Sequence, residues 1–508
     1  MAAYMRITVC SHYFRVDRLN HVARNACFIY SNQMVQWGFK PERGRMVRVK
    51  TKVYAASNKD NTEFRFHINC LNEFLETTKR VNIHPNFIQM EKESEFEGKD
   101  IEIEMKKGWV MRDHQIPFSD YCTAEKPVSK LLSMQTGQGK GATSMQALVN
   151  KKKRFLVIVK PMFIQKWVDD LLKTTNLKRE DILTVRGSEE LKALLVKGAD
   201  DSFEFKCAII SNTTVQNWIK EYEFFGKDTL EMGWACVPHD LHRHLKSSER
   251  VIDEVHMHFH LCFKMDLYTH VKSSISLSAT LFNADPFISK MYRVMFPPES
   301  RAKELALKKY IDVIAVYYDF ENPEFIRTME RGATTFSNNA FEESIMARGK
   351  ICKNYLEMIA EIVKFGYDRV ERKKKVAVVY AYTTEMVDLI LAYLKKVFPD
   401  YRIKRKVSGD PDENIYTCDI CVSTLGSLGT AIDIPDLTNV VMTNMVASQQ
   451  SNVQTMGRLR ELSDGHPVVM HYFVASNIEK TVEYHRNKVE LFQGRARSQA
   501  VHMTGKKI

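Results

Sequence analysis

The chain has 508 residues, 44% of them hydrophobic and 27% charged, so it can fill two or three cores of ordinary domain size and is neither disordered nor fibrous. A net charge of +12 points to a polyanionic partner, nucleic acid first among them. No uncharged apolar run is long enough to span a bilayer, the first ten residues lack the apolar stretch of a secretory leader, and the ten scattered Cys read as reduced thiols of a cytosol-like compartment.

Residues 1–104 read as a small α+β module, with strands at 5–10, 46–54, 64–68 and 101–105 and helices at 17–28 and 71–81. In Met46-Val47-Arg48-Val49-Lys50-Thr51-Lys52-Val53 apolar and basic residues alternate, so one strand face is expected to pack and the other to present Arg48, Lys50 and Lys52. Alone this is a solvated face; on a nucleic-acid motor it becomes a surface that tracks phosphates.

Residues 105–300 change to short apolar strands, at 155–159, 207–210, 251–252 and 274–278, separated by helical stretches. That alternation predicts a doubly wound parallel sheet. A second series at 311–318, 376–380, 403–407, 420–423, 440–443 and 468–473 predicts another such domain over 301–477, with a hinge at 297–309 around Pro297-Pro298. Residues 478–508, which carry Lys480, Arg486, Lys488, Arg495, Arg497, Lys506 and Lys507, read as a basic tail of one helix and a frayed end.

Phosphate binding needs backbone N–H groups converging at a helix start, small residues that let the backbone approach, and a Lys for the outer phosphates. Gln135-Thr136-Gly137-Gln138-Gly139-Lys140, ahead of a helix expected at 142–149, meets that need. The residue after such a Lys is usually a Ser or Thr that holds magnesium. Here it is Gly141, so Thr143 or Ser144 of the next turn, or water, has to serve. Downstream, Asp253 and Glu254 end a strand, where one acid can hold magnesium and the other can orient the water that attacks the γ-phosphate. Cys418 and Cys421 have metal-ligand spacing but no second pair nearby, so buried thiols are expected; His258 and His260 read as helix-face residues and not as a metal tract. Lys404, Arg405 and Lys406 read equally as a solvated edge or as phosphate contacts.

These features together resemble a superfamily 2 helicase over about 105–475, with two RecA-like domains in tandem and ATP and magnesium in the cleft between them. The resemblance implies that Arg112 and Gln115 lie at the adenine, that Thr136, Gly137, Gln138, Gly139, Lys140 and Gly141 cradle phosphates, and that Asp433 contacts the nucleotide. His256, Ser278, Thr280 (of Ser278-Ala279-Thr280) and Gln454 become coupling residues, and Arg458 and Arg460 become arginine fingers. Lys160, Trp167, Ser211, Thr213 and Thr214 in the first domain, with Ser408, Thr424 and Thr430 in the second, become contacts to the tracked strand.

The small module ahead of the motor, Val407-Ser408-Gly409, Thr430 to Asp433 and Gln454-Thr455-Met456-Gly457-Arg458 look most like the phage UvsW-like recombination helicases. That implies an ATP-driven DNA helicase acting on forks, branched DNA or R-loops in a host-cell cytoplasm, alongside single-strand-binding or recombination proteins. An RNA helicase of the Asp-Glu-x-His type and an ATP-gated strand-binding or annealing clamp with little turnover remain the alternatives.

Overall fold

The computed structural model describes residues 4–508 except 43–44, 135–137, 199, 201, 279–284, 303–308, 331–334, 429–433 and 463. The chain divides into two compact units, Met1–Met134 with Gln138–Leu305, and Ala306–Ile508. Its class is α/β: two doubly wound parallel-sheet domains of the RecA-like kind, preceded by a small α+β module.

The module holds β1 (Met5–Val9), β2 (Tyr13–Asp17), β3 (Val35–Glu42), β4 (Arg45–Val53), β5 (Ala56–Ser57), β6 (Phe64–His67) and β7 (Ile88–Lys92). Five of them form a sheet in the order β5-β6-β2-β1-β7, while β3 and β4 pair only with each other. The expected helix at 17–28 starts later, at His21–Gln33, because Asn20 caps it by accepting the Ala23 N–H at 2.8 Å and residues 13–17 are taken up by β2. Residues 101–105, expected as a strand, make only isolated bridges, Asp100 to Lys153 and Met105 to Thr175, and run as a connector along the first α/β domain.

That domain is an all-parallel sheet of β8 (Ser129–Ser133), β9 (Phe155–Val159), β10 (Ile182–Val185), β11 (Cys207–Ser211), β12 (Glu249–Ile252) and β13 (Ser273–Ser278), in the order β10-β11-β9-β12-β13-β8. Its strands are buried runs, as a sheet covered on both faces requires. The second unit is a seven-stranded parallel sheet of β14 (Ile311–Asp319), β15 (Val376–Ala381), β16 (Ile403–Lys406), β17 (Ile420–Thr424), β18 (Leu437–Met442), β19 (Val468–Ala475) and β20 (Ser498–Lys507), in the order β16-β17-β15-β18-β19-β14-β20. The expected frayed end is therefore a strand. After the helix Glu479–Gln493 the chain turns at Arg497, which pairs with Asp312, and β20 lies along β14 until Ile508, 2% exposed, bonds to Asp319. Lys488, read as part of a basic tail, is 2% exposed beside the Tyr472 ring, and burial pushes its ammonium down to about 7.

The α+β module does not keep a core to itself. One hydrophobic cluster runs from Met5, Phe14 and Phe66 through Phe259, Phe263 and Met295. At that seam lies a buried polar network: Arg250 of β12, 1% exposed, donates to Asp266 at 2.5 Å, Thr269 at 2.7 Å and Ser274 at 3.0 Å. His67 of the module lies 3.7 Å from the other Asp266 oxygen, and Ser11 bonds to His270 and to the Val271 N–H. Burial by itself would raise the Asp266 carboxyl, but Arg250 and His67 hold it well below the usual range. Replacing Asp266 with Asn should cost about 3–5 kcal/mol, because Arg250 would stay buried without its counter-charge; urea unfolding of the variant measures it, and a cost below about 1 kcal/mol would refute this account of the seam.

Several imidazoles are buried neutral. Burial pushes His12 and His471 down to about 3 and His242 well below its usual value. In the unfolded chain they titrate near ~6.5. Between those values the unfolded state binds more protons, so stability should fall as pH drops below about 6.5. The urea midpoint is expected to be lower at pH 5 than at pH 7.5, and an unchanged midpoint would contradict the burial of these groups.

Candidate functional site

All strands of the first α/β sheet point the same way, so their carboxyl ends share one edge, and β12, β13 and β8 are neighbours there. The chain leaves β8 at the sheet border and re-enters at β9, three positions inward, and β12 and β13 later fill the gap. Such switch points are where open α/β sheets hold ligands. They bring together residues far apart in sequence: the loop after β8, Asp253 and Glu254 after β12, and Ser278 at the end of β13.

The helix Lys140–Lys151 begins directly at Gly139, whose φ of +84° is left-handed. That turn favours glycine, and a Cβ there would sit 2.2 Å from the Gln115 amide nitrogen, so Gln115 would have to shift. Gln115, expected at the adenine, also braces this loop: its oxygen accepts the Arg112 N–H at 2.9 Å and its nitrogen donates to the Gln138 carbonyl at 3.1 Å. Arg112 itself is exposed. Thr136 and Gly137 lie outside the described residues. Among the described residues the first intrahelical bond is Thr143 N–H to Gly139 at 2.9 Å, and the N–H groups of Lys140, Gly141 and Ala142 lie at the helix start, where an anion is favoured.

Lys140 is 9% exposed and its Nζ lies 4.0 Å from Glu254 Oε1. Burial first, then the neighbouring Glu254 charge, pushes the Asp253 carboxyl up. Asp253 Oδ2 accepts the indole N–H of Trp167 at 2.8 Å, and its Oδ1 accepts the Glu254 N–H at 2.9 Å. Glu254 has φ +49°, a conformation that costs a non-glycine residue about 1 kcal/mol or more and is typical of functional sites. Its Oε2 is buried without a hydrogen bond, 3.3 Å from His256 Nδ1. His256 Nδ1 also meets Ser278 Oγ at 2.8 Å, and burial, helped by Lys140, pushes the imidazole down to about 3, so it is neutral. Desolvated carboxylate oxygens opposite a Lys and a helix start fit a hard divalent cation with phosphates. Gly141 has open space where a Cβ would stand, so nothing in the packing demands glycine. Thr143 and Ser144 are fully buried and donate to the carbonyls of Gly139 and Gly141, at 3.0 and 2.8 Å, so neither hydroxyl hydrogen faces outward.

Trp167, expected to face a nucleic-acid strand, is 3% exposed and positions Asp253. The apolar spacing of its helix, Ile164–Thr174, with Val168 and Leu171 buried beside it, carried that signal. Of the other expected strand contacts in this unit, Lys160 sits just after β9 with its ammonium pushed down by burial, and Thr213 is exposed at the start of the helix Asn212–Phe225. Ser211 is buried and pairs with Thr213 at 2.7 Å, and Thr214 is buried too. In the second unit Ser408 is exposed, its N–H on Ser427, and Thr424 bonds the same Ser427 hydroxyl at 2.7 Å. Arg458 is 8% exposed and donates to the Leu428 carbonyl at 3.1 Å, while Arg460 donates to Gly457 at 2.8 Å. Gln454 lies on the helix Gln449–Met456, half-buried. Thr280, Thr430 and Asp433 lie outside the described residues.

No family model matches the chain, and no curated protein matches it in sequence. Among solved structures it is similar to S. cerevisiae Dbp5 bound to RNA and ADP BeF3, at 11% identity and a TM-score of 0.48, over 76% of this chain and 89% of that one.

Replacing Trp167 with Phe should keep the packing but remove the donor to Asp253, lowering turnover about tenfold, since a hydrogen bond to a charged group contributes ~1.5–3 kcal/mol. Steady-state hydrolysis checks this, and full activity would mean that Trp167 does not position Asp253. Gly139→Ala should abolish nucleotide binding, read by equilibrium titration.

Proposed function

We propose that the chain is an ATP-dependent DNA helicase or translocase that remodels branched DNA or R-loops by moving along one strand. The observation that carries this reading is the meeting of Lys140, Asp253, Glu254, His256 and Ser278 at the carboxyl ends of three neighbouring strands. Lys140 and the helix start bind the phosphates, Asp253 holds magnesium, and Glu254 orients the attacking water. The resemblance also gives Arg458 and Arg460 the role of arginine fingers, an effect worth roughly a thousandfold or more in rate. The bond between neutral His256 and Ser278 passes the state of the nucleotide to the segment after β13. Contacts to the strand fall largely on phosphates, so binding is sequence-tolerant and weakens steeply with salt. The sequence identifies no 2′-hydroxyl reader, so RNA stays the competing substrate.

The full burial of Thr143 and Ser144 beside Gly141, which leaves no exposed hydroxyl oxygen for magnesium, favours a second reading, a nucleotide-gated clamp that binds or anneals strands with little turnover. Steady-state ATP hydrolysis with magnesium, on no nucleic acid, single-stranded DNA, a forked duplex and single-stranded RNA, separates the readings. DNA-stimulated turnover that Glu254→Gln and Lys140→Ala each reduce by at least about a thousandfold, with DNA binding kept, is the expected result. RNA-only stimulation would select the RNA helicase, and salt-sensitive binding without turnover the clamp.

A further inference from the structure

The strands β3 and β4 stand apart from every other sheet, paired over eight residue pairs or about 25 Å. The alternation in β4 predicts a packed face, yet no residue of β4 is buried. Residues directly opposite one another share a face. Trp37 stands opposite Lys50 and Phe39 opposite Arg48, with Met46 further along the same face. Phe39 is 68% exposed, Met46 64% and Trp37 39%; the Arg48 guanidinium lies 4.5 Å over the Trp37 ring and Lys50 5.7 Å from it. Arg48 and Lys50 therefore line an aromatic face and do not form a basic face of their own.

The foot of this hairpin is fixed. Tyr54 is 1% exposed and packs against Phe259, Phe263 and Phe287. His260 bonds the Val53 carbonyl at 3.0 Å, Lys264 donates to the Ala55 carbonyl at 3.2 Å, and the Gln36 amide donates to Asp285. His260 belongs to the helix Phe259–Asp266, just after His256, and Asp285 caps the helix Pro286–Met295, just after the Ser278 segment. The hairpin thus stands on the two helices that continue from the ends of the candidate ATP site.

Exposed aromatic and apolar side chains on an isolated hairpin mark an interaction surface. Residues 35–53 contain Lys40, Arg43, Arg45, Arg48, Lys50 and Lys52 against the single acid Glu42, so the partner is anionic. Cations interleaved with rings on one face suit a partner that alternates flat apolar faces with negative charge, which is the chemistry of stacked bases on a phosphate backbone. Trp37 and Phe39 are two residues apart on one strand, about 7 Å, or twice the ~3.4 Å repeat of stacked bases.

We propose that the β3–β4 hairpin reads the junction between duplex and single strand, with Trp37, Phe39 and Met46 stacking on the bases exposed where the strands part and Arg48 and Lys50 holding the flanking phosphates. This rests on the nucleic-acid-motor reading and adds the part of the substrate that the module selects.

The test uses the full-length protein without nucleotide, on forked DNA and forked RNA carrying 2-aminopurine at the junction, beside unbranched single strands. Wild type should change the junction fluorescence, and Trp37→Ala/Phe39→Ala should lose that change and about tenfold in fork affinity, with an unaltered melting temperature because both side chains are exposed. The larger response of the DNA or the RNA fork identifies the source. Equal fork affinity and fluorescence in the variant, or no junction signal in wild type, overturns the proposal and leaves the face to a protein partner. Because no hydrolysis is read, a junction response in a protein that turns over no ATP would fail the motor reading while sparing this one.

Discussion

Arg250 carries its charge at 1% exposure, and three parts of the first unit meet on it. Its own strand, β12, ends at Asp253 and Glu254; its bond to Ser274 fixes it to β13, which ends at Ser278; and its pair with Asp266 reaches His67 of the α+β module. A buried ion pair of this kind contributes little net stability compared with an apolar replacement, but a slip of one residue would strand a charge. Register is what it secures. With β12 and β13 in register, His256 lies 2.8 Å from Ser278 and 3.3 Å from Glu254, and the rest of the candidate site follows from the parallel direction of the sheet.

The same seam decides what the module can do. Because its core is continuous with that of the first α/β domain, it rides with that domain as one body instead of hanging on a linker. Its free part is the hairpin, which exposes both faces while its foot is bonded to the helices that begin at Phe259 and Pro286.

Much of this was legible in the sequence. The apolar strands β9, β11, β15, β17 and β19 announce themselves as largely apolar runs, and Gly139-Lys140 and Asp253-Glu254 carry their chemistry in their residue types. What escaped had long-range causes. The edge strand β8 includes Lys130, which reads as polar but is fully buried with its ammonium pushed down to about 8. The strand β20, largely polar and ending in Gly505-Lys506-Lys507, becomes a strand because β14, far back in the chain, offers it a ladder. Trp167 beside Lys160-Pro161 looked like a surface ring, and only the fold reveals that its N–H points at Asp253. The alternation in β4 was real, but which face packs depends on what stands opposite, and here that is Trp37 and Phe39 on an otherwise uncovered hairpin.

The central claim is that the edge formed by β8, β12 and β13 is a magnesium–nucleotide site. Its most direct test is calorimetric titration of a non-hydrolysable ATP analogue into the full-length protein, with and without magnesium, for wild type and Asp253→Asn. The account predicts saturable binding by wild type that magnesium tightens, with the magnesium effect lost in the variant. Binding that ignores magnesium in both proteins, or no binding at all, would contradict it.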